Sequence, residues 1–234
     1  FFHPDPTVKR QSGFLTPFFT DSASVGTGFG LPYFWAISDD RDMTLTTKTY
    51  KDENLLFLHE YRQAFKSGFM TLDTSYTEGY KNISKKKNGG SRNHFFADLN
   101  FDLDQNKDYE SKITFKTQRV SNDTYFRIHD INTALVDADR TQLENDVTYS
   151  FSKDDMYFNV SSSMYEDLRK DSNDRYEFIY PNIIYGKDFF TEKFGTLNFK
   201  TNILHKNYET DRHLTFLNND LTWSPTETIT KKGF

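Results

Sequence analysis

Six histidines, His3, His59, His94, His129, His205 and His213, are the side chains best suited to metal or acid–base chemistry in this 234-residue sequence. They lie far apart. None follows another at the His-x3-His or His-Glu-x2-His spacing that sets two imidazoles on one helical face around a metal, so each reads as a loop or interior residue. The acid pairs Asp39-Asp40 and Asp154-Asp155 stand among turn formers, where solvated carboxylates end strands rather than share a catalytic proton. Gly26-Thr27-Gly28-Phe29-Gly30 resembles a phosphate loop only in its glycines. Neither a Lys-Ser/Thr pair nor a helix follows, and a flexible connector is expected. Lys85-Lys86-Lys87 before Asn88-Gly89-Gly90 makes a basic loop tip, solvated and at most attracted to anionic lipid head groups. There is no Gly-x-Ser-x-Gly elbow and no cysteine, hence no thiolate nucleophile, disulfide or zinc-finger spacing. No catalytic residue, metal or cofactor is expected.

Chemistry of this kind being absent, the positioning elements carry the information. The chain holds 24 Phe and 14 Tyr against 6 Pro and 11 Gly, too many aromatics for a disordered polypeptide. Its mean hydropathy of −0.77 is equally unsuited to membrane helices. The longest uncharged stretch, Ser22 to Ser38, contains Gly26, Gly28, Gly30 and Pro32 and lacks the apolar run that a spanning helix needs. With 29 Lys and Arg against 34 Asp and Glu, the net charge of −5 gives no footprint for nucleic acid. The chain opens on Phe1-Phe2-His3-Pro4, with neither Met nor a signal-type leader, and is expected to be a processed chain or the middle of a larger one.

Period two runs through nearly the whole sequence. Phe95, Ala97, Leu99, Phe101 and Leu103 point one way, and Phe96, Asp98, Asn100, Asp102 and Asp104 the other. After the turn Gln105 to Asp108 the pattern resumes with Tyr109, Ser111, Ile113, Phe115 and Thr117, as in an antiparallel hairpin. Leu143 to Ser152 and Met156 to Met164 form another pair around Lys153-Asp154-Asp155. Further runs are Met43 to Tyr50, Leu55 to Phe65, Phe69 to Tyr80, Tyr176 to Tyr185, Leu197 to Leu204 and His213 to Trp223. About nine or ten strands are predicted, many of roughly 9–12 residues, longer than soluble strands and matched to the 9–11 that cross a bilayer. Aromatics gather near the ends of runs (Tyr76, Tyr80, Phe95, Tyr109, Tyr149, Tyr157, Trp223), as an interfacial girdle requires. Short turns alternate with long polar loops, notably 81–92 and 121–141. The fold class is all-β: an antiparallel up-and-down transmembrane β-barrel segment, incomplete within this chain, its polar face turned to a wet interior.

One stretch is more specific. Phe2-His3-Pro4-Asp5-Pro6-Thr7-Val8-Lys9-Arg10-Gln11-Ser12-Gly13-Phe14-Leu15-Thr16-Pro17, then Gly28 to Ile37 with Leu31-Pro32-Tyr33-Phe34-Trp35, then Asp42-Met43-Thr44-Leu45-Thr46, resembles the lipopolysaccharide-assembly outer-membrane protein family (LptD, also called OstA). Glu60-Tyr61-Arg62 and Val120 to Phe126 look like the same family's early barrel. The likeness covers residues 1 to about 130; beyond that it rests on barrel patterning.

The resemblance implies that residues 1–29 are the C-terminal end of a periplasmic β-jellyroll with its connector, and 30–234 the N-terminal portion of the barrel. It implies a non-enzymatic transporter that inserts lipopolysaccharide into the outer leaflet of a Gram-negative outer membrane, through a jellyroll groove and a lateral seam. Phe14, Leu15, Phe18 and Phe19 would line the lipid path, and Leu31 to Ile37 would be the first barrel strand. Pro32 cannot donate to a ladder and marks an edge or a weakened strand on physical grounds. By resemblance it is the first of the family's seam prolines, with Tyr33, Phe34 and Trp35 beside it. The second would fall at Thr47, which keeps its N–H. The implied partners are lipopolysaccharide, membrane lipid, a lipoprotein plug (LptE-like) and a periplasmic bridge protein (LptA-like). Two rivals remain: a small closed porin or adhesin barrel, whose first and last strands would pair, and a soluble sugar-binding sandwich.

Overall fold

The computed structural model describes residues 10–22, 24–51, 53–79, 90–103, 108–171, 173–209 and 211–226. His3 and the rest of the Phe2 to Lys9 motif, Tyr80, the Lys85-Lys86-Lys87 tip and the Asp104 to Lys107 turn lie outside the described residues. The strands are β1 (Gly13–Phe14), β2 (Phe18–Ser22), β3 (Gly26–Ser38), β4 (Arg41–Tyr50), β5 (Leu56–Phe65), β6 (Gly68–Thr77), β7 (Arg92–Asp102), β8 (Glu110–Val120), β9 (Gln142–Lys153), β10 (Met156–Asp167), β11 (Tyr176–Thr191), β12 (Gly195–Tyr208) and β13 (Arg212–Ser224). One short helix, α1 (Tyr125–Ile128), lies between β8 and β9. From β3 to β13 the strands neighbour one another in chain order, an up-and-down meander, while β1 and β2 both pair with β3. Every run with period two became a strand, because each has an apolar row to bury or cover and a polar row to solvate. Among the described residues β13 pairs with β12 and not with the start of the sheet, so the first-to-last pairing required by a small closed barrel is absent there.

The chain divides into two compact units. The first gathers residues up to Leu99 with Lys116–Leu143 and Asp167–Arg169. Its strand register puts Pro32, Thr46, Leu58 and Ser75 on one face, and Leu31, Thr47, Phe57 and Tyr76 on the other. The first face carries Asp42, Lys48, Glu60, Arg62, Asp73 and His94 and is largely buried, whereas the second exposes Trp35, Phe57, Tyr76 and Phe95.

The segment 121–141, expected to be a polar loop, departs from that expectation. It folds back onto the polar face, and its Tyr125, Phe126, Ile131 and Val136 join Val25, Tyr50, Leu56, Leu58, Phe96, Leu143 and Leu168 in one buried cluster. Those four side chains alone remove enough apolar surface to be worth about 1.5–3 kcal/mol each, which a solvated loop would forfeit. Helix α1 is a single turn, opened where the Asn122 side chain accepts from the Thr124 N–H (3.2 Å) and hydroxyl (2.9 Å). It ends near Asp130, whose φ of 47° is the left-handed conformation that stops a helix.

In the second unit, made of residues 100–115, 144–166 and 170–234, the register of β10 to β13 also sorts side chains by parity, with Leu204 and Phe216 falling on the face of Asn202 and Asn218. Asn159, Ile184, Asn202 and Asn218 share one row; Val160, Ile183, Ile203 and Leu217 share the next, on the opposite face. Phe199 and Leu221, and Leu197 and Trp223, extend the apolar face. Strand β11 is interrupted between Ile179 and Asn182, where Pro181 removes a ladder donor.

Candidate functional site

The residues singled out in the sequence converge on the outer edge of β3. Backbone parity defines that edge. The Lys51 N–H donates to the Thr27 carbonyl (3.0 Å) and the Thr49 hydroxyl to the Phe29 carbonyl (3.3 Å), so the odd residues of β3 turn their peptide groups to β4. The Leu15 N–H donates to the Pro32 carbonyl (2.9 Å), and the Ala36 N–H to the Ser12 hydroxyl (2.9 Å), so the even residues turn theirs away. Pro32 therefore withholds its donor from the outer edge and leaves the β3–β4 ladder intact. Thr47 lies opposite Leu31, within that ladder, and keeps an N–H that a proline there would lack.

This outer edge, which Pro32 marks as an edge or a weakened strand, is covered. Strand β2 pairs along it from Phe18↔Gly30 to Ser22↔Gly26, and β1 pairs at Gly13↔Phe34 and Phe14↔Tyr33. The two stretches are separated at Thr16-Pro17, opposite Leu31 and one residue from Pro32, whose carbonyl accepts from the Leu15 N–H. The glycines read in the sequence as a flexible connector are instead the start of β3. A Cβ on Gly30 would come within 2.3 Å of the Phe18 ring, and one on Gly28 within 2.9 Å of the Thr49 carbonyl, so bare backbone is what lets β2 and its aromatic ring close down here.

The four apolar residues assigned to the lipid path do not share a face. Phe14 packs edge-on against Tyr33 (5.2 Å between centroids) and Phe19 tilts against Phe29 (5.5 Å), both on the apolar side and 71% and 82% exposed. Phe18 sits on the opposite side, over Gly30, with the Lys48 ammonium 5.4 Å from its ring. Leu15 is exposed beside the gap. At the far end of β3, Arg10 and Arg62 both bind the buried Asp42 carboxylate, Arg62 at 2.7 Å, and the Arg10 guanidinium also stacks 5.7 Å over Phe34. Trp35 lies half exposed next to it on the apolar side.

A second constellation escaped the sequence reading. Asp73, Ser75, His94 and Tyr125 are all buried: the Tyr125 hydroxyl lies 2.8 Å from Ser75 Oγ, Ser75 Oγ contacts His94 Nδ1, and His94 Nε2 lies 3.0 Å from Asp73 Oδ1. The order Ser, His, Asp has the form of a hydrolytic triad. Phe96, Tyr125 and Phe126 roof it over, so no acyl group can reach the serine. Its work is to hold segment 121–141: Thr133 donates to the other Asp73 oxygen, the Lys48 ammonium to the Asp130 carbonyl (2.7 Å) and the Tyr50 hydroxyl to the His129 carbonyl (2.8 Å). Burial, helped by the Lys48 and Arg92 cations, pushes His129 down to about 4, so it stays neutral at pH 7. The available signal was parity: His94 and Phe96 alternate with exposed Asn93 and Phe95, which marks them as inward-facing.

No protein-family model matches the chain. Curated proteins do. It is 27% identical over 150 residues to the LPS-assembly protein LptD of Nitrosococcus oceani, covering 61% of this chain and 18% of that protein. It is 24% identical over 174 residues to LptD of Legionella pneumophila (70% and 20%), and 23% identical over 186 residues to LptD of Shewanella frigidimarina (68% and 24%). The chain thus spans about a fifth of the length of the curated relatives it matches, and over roughly two thirds of its own length it is similar to LPS-assembly protein LptD.

Proposed function

We propose that this chain is part of an outer-membrane β-barrel that assembles lipopolysaccharide into the outer leaflet of a Gram-negative envelope. The observation that carries the reading is the pairing of an up-and-down sheet, its rows alternating between apolar and polar, with similarity to LPS-assembly protein LptD over roughly two thirds of the chain. Residues 1–29 would belong to the periplasmic jellyroll and its connector, and 30–234 to the barrel. Lipid would ascend past Phe14, Leu15, Phe18 and Phe19 and leave sideways at a seam built on Pro32, Tyr33, Phe34 and Trp35, with Thr47 firming the β3–β4 side. Cargo and bilayer are both lipid, so passage calls for an apolar path and a parting of strands rather than bond making, and the chain is not an enzyme. An LptE-like lipoprotein would plug the barrel and an LptA-like bridge would feed the jellyroll. Depleting the full-length protein in its host and labelling surface lipopolysaccharide tests this. The expected result is loss of newly made surface lipopolysaccharide with its accumulation inside; unchanged surface labelling would refute the transport role.

A further inference from the structure

We propose that the pocket where β11, β12 and β13 meet the turn 209–211 seats the headgroup of an ethanolamine phospholipid from the surrounding bilayer. The inference rests on the outer-membrane reading above.

The pocket stands where one face of the sheet changes character. Phe178, Asn207 and His213 lie in one cross-strand row, on the face that carries Ile183, Ile203 and Leu217. From Ile203 and Leu217 toward the turn, that face passes through His205 and Thr215 to Asn207 and His213. Apolar side chains give way within two pairs to polar ones, the same change that a lipid spans from acyl chain to headgroup. The concavity holds about 380 Å³, within the range of roughly 300–1,000 Å³ that small ligands occupy.

Its two sides differ in chemistry. On one side the rings of Tyr176 and Phe178 lie 6.3 Å apart and within 25° of parallel, forming an aromatic wall, and Tyr180 stands at 82° to Phe178 and closes its end. The Asn207 amide donates to the Tyr180 hydroxyl (3.0 Å) and fixes that ring. On the other side Glu209 and Asp211 take left-handed φ values of 52° and 59°, a tight reversal that sets the Arg212 guanidinium 3.0 Å from the Glu209 carboxylate. An ammonium is drawn to ring faces and carboxylates, and a phosphate to guanidinium and imidazole N–H donors. The aromatic wall with Glu209 and Asp211 suits the first, and Arg212 with His213 the second. Acids set beside bases give little attraction to a headgroup of one sign and favour one that carries both. The Asn207 carbonyl oxygen is buried with no donor among the described residues, an acceptor that a primary ammonium can satisfy and a trimethylated one cannot. Ethanolamine phospholipid meets all these terms: both signs, no net charge, and N–H donors on the cation.

The full-length protein is reconstituted into bilayer discs of equal parts palmitoyl-oleoyl phosphatidylethanolamine, phosphatidylglycerol and phosphatidylcholine, and the lipids that stay bound on release are counted by native mass spectrometry. Phosphatidylethanolamine should be retained at least about tenfold over phosphatidylglycerol and severalfold over phosphatidylcholine. Tyr180→Ala should remove most of that preference, and Glu209→Lys should reverse it in favour of phosphatidylglycerol, an outcome that misfolding does not produce. Phe199→Ala, on the same face but away from the turn, should leave the order unchanged. Equal retention of the three lipids by the unaltered protein, a preference untouched by Glu209→Lys, or one lost equally in Phe199→Ala would each overturn the headgroup site while leaving the membrane reading in place. Failure of the unaltered protein to enter the discs would overturn the membrane reading, and the site with it.

Discussion

Gly30 shows how much one missing methyl group can set. Its Cβ would lie 2.3 Å from the Phe18 ring, a rigid group braced by Lys48, so Gly30→Ala should expel Phe18 from its place and loosen β2 by about 1–3 kcal/mol. Denaturant unfolding of the full-length protein measures the loss, and adding Phe18→Ala should recover part of it; no recovery would mean that the contact is not what the glycine serves. Asp73 is the corresponding polar case. Asp73→Ala leaves the His94 Nε2 and the Thr133 hydroxyl without their acceptor in a dry interior, at about 1–3 kcal/mol. Limited proteolysis between Tyr125 and Thr141 should then become severalfold faster. His129 adds a pH dependence of definite sign. Unfolded histidine titrates near 6.5 and the folded one at about 4, so the unfolded segment takes up the proton first. Its contribution is fully present above pH 6.5 and is lost as the pH falls toward 4, about 3 kcal/mol in all. With the intrinsic pH dependence of exchange divided out, the protection factors of the 125–136 amides should fall between pH 7 and pH 5 in the native protein, and that fall should shrink in His129→Gln.

Among the elements, the long strands were legible and the short ones were not. Runs such as Phe95 to Leu103 or Met156 to Met164 carry enough alternation to fix both strand and facing, since a slip of one residue would turn Leu99 or Phe158 to the polar side. Strands β1 and β2, of two and five residues, have too few positions to show a period, and what orders them is the long-range edge of β3. Segment 121–141 was misread because its apolar residues are spaced to fit a surface made by distant strands, a relation that no local period expresses. The same reason hid Asp73, Ser75 and His94, which are separated by up to 21 residues in sequence yet meet across neighbouring strands. Pro32, in contrast, was legible from its chemistry: a residue without an N–H belongs at an edge, and its donor-less side faces outward from β4. Because β1 and β2 part at Pro17, Leu15→Pro should free the Phe34 and Ala36 amides to exchange while leaving those of Gly28 and Gly30 protected; protection lost along the whole edge would mean that the cover leaves as one piece.

Across the whole chain, 38 Phe and Tyr coexist with a mean hydropathy of −0.77 because the two populations are separated by strand parity. In the first unit one face gathers carboxylates, histidine and hydroxyls and the other exposes aromatic side chains, and in the second the Val160, Ile183, Ile203 and Leu217 row alternates with one that carries Asn159, Asn202 and Asn218. A soluble sheet would cover such a face with a second layer. The central claim is that lipid covers it here. The direct measurement is a nitroxide scan of β12, one cysteine at a time from Phe199 to Ile203, in the full-length protein reconstituted into bilayers. Oxygen accessibility should peak at Phe199, Thr201 and Ile203 and fall at Lys200 and Asn202, with the water-soluble nickel chelate showing no peaks at the first three. High chelate accessibility at Phe199 and Ile203, or an accessibility without period two, would contradict the membrane-spanning sheet.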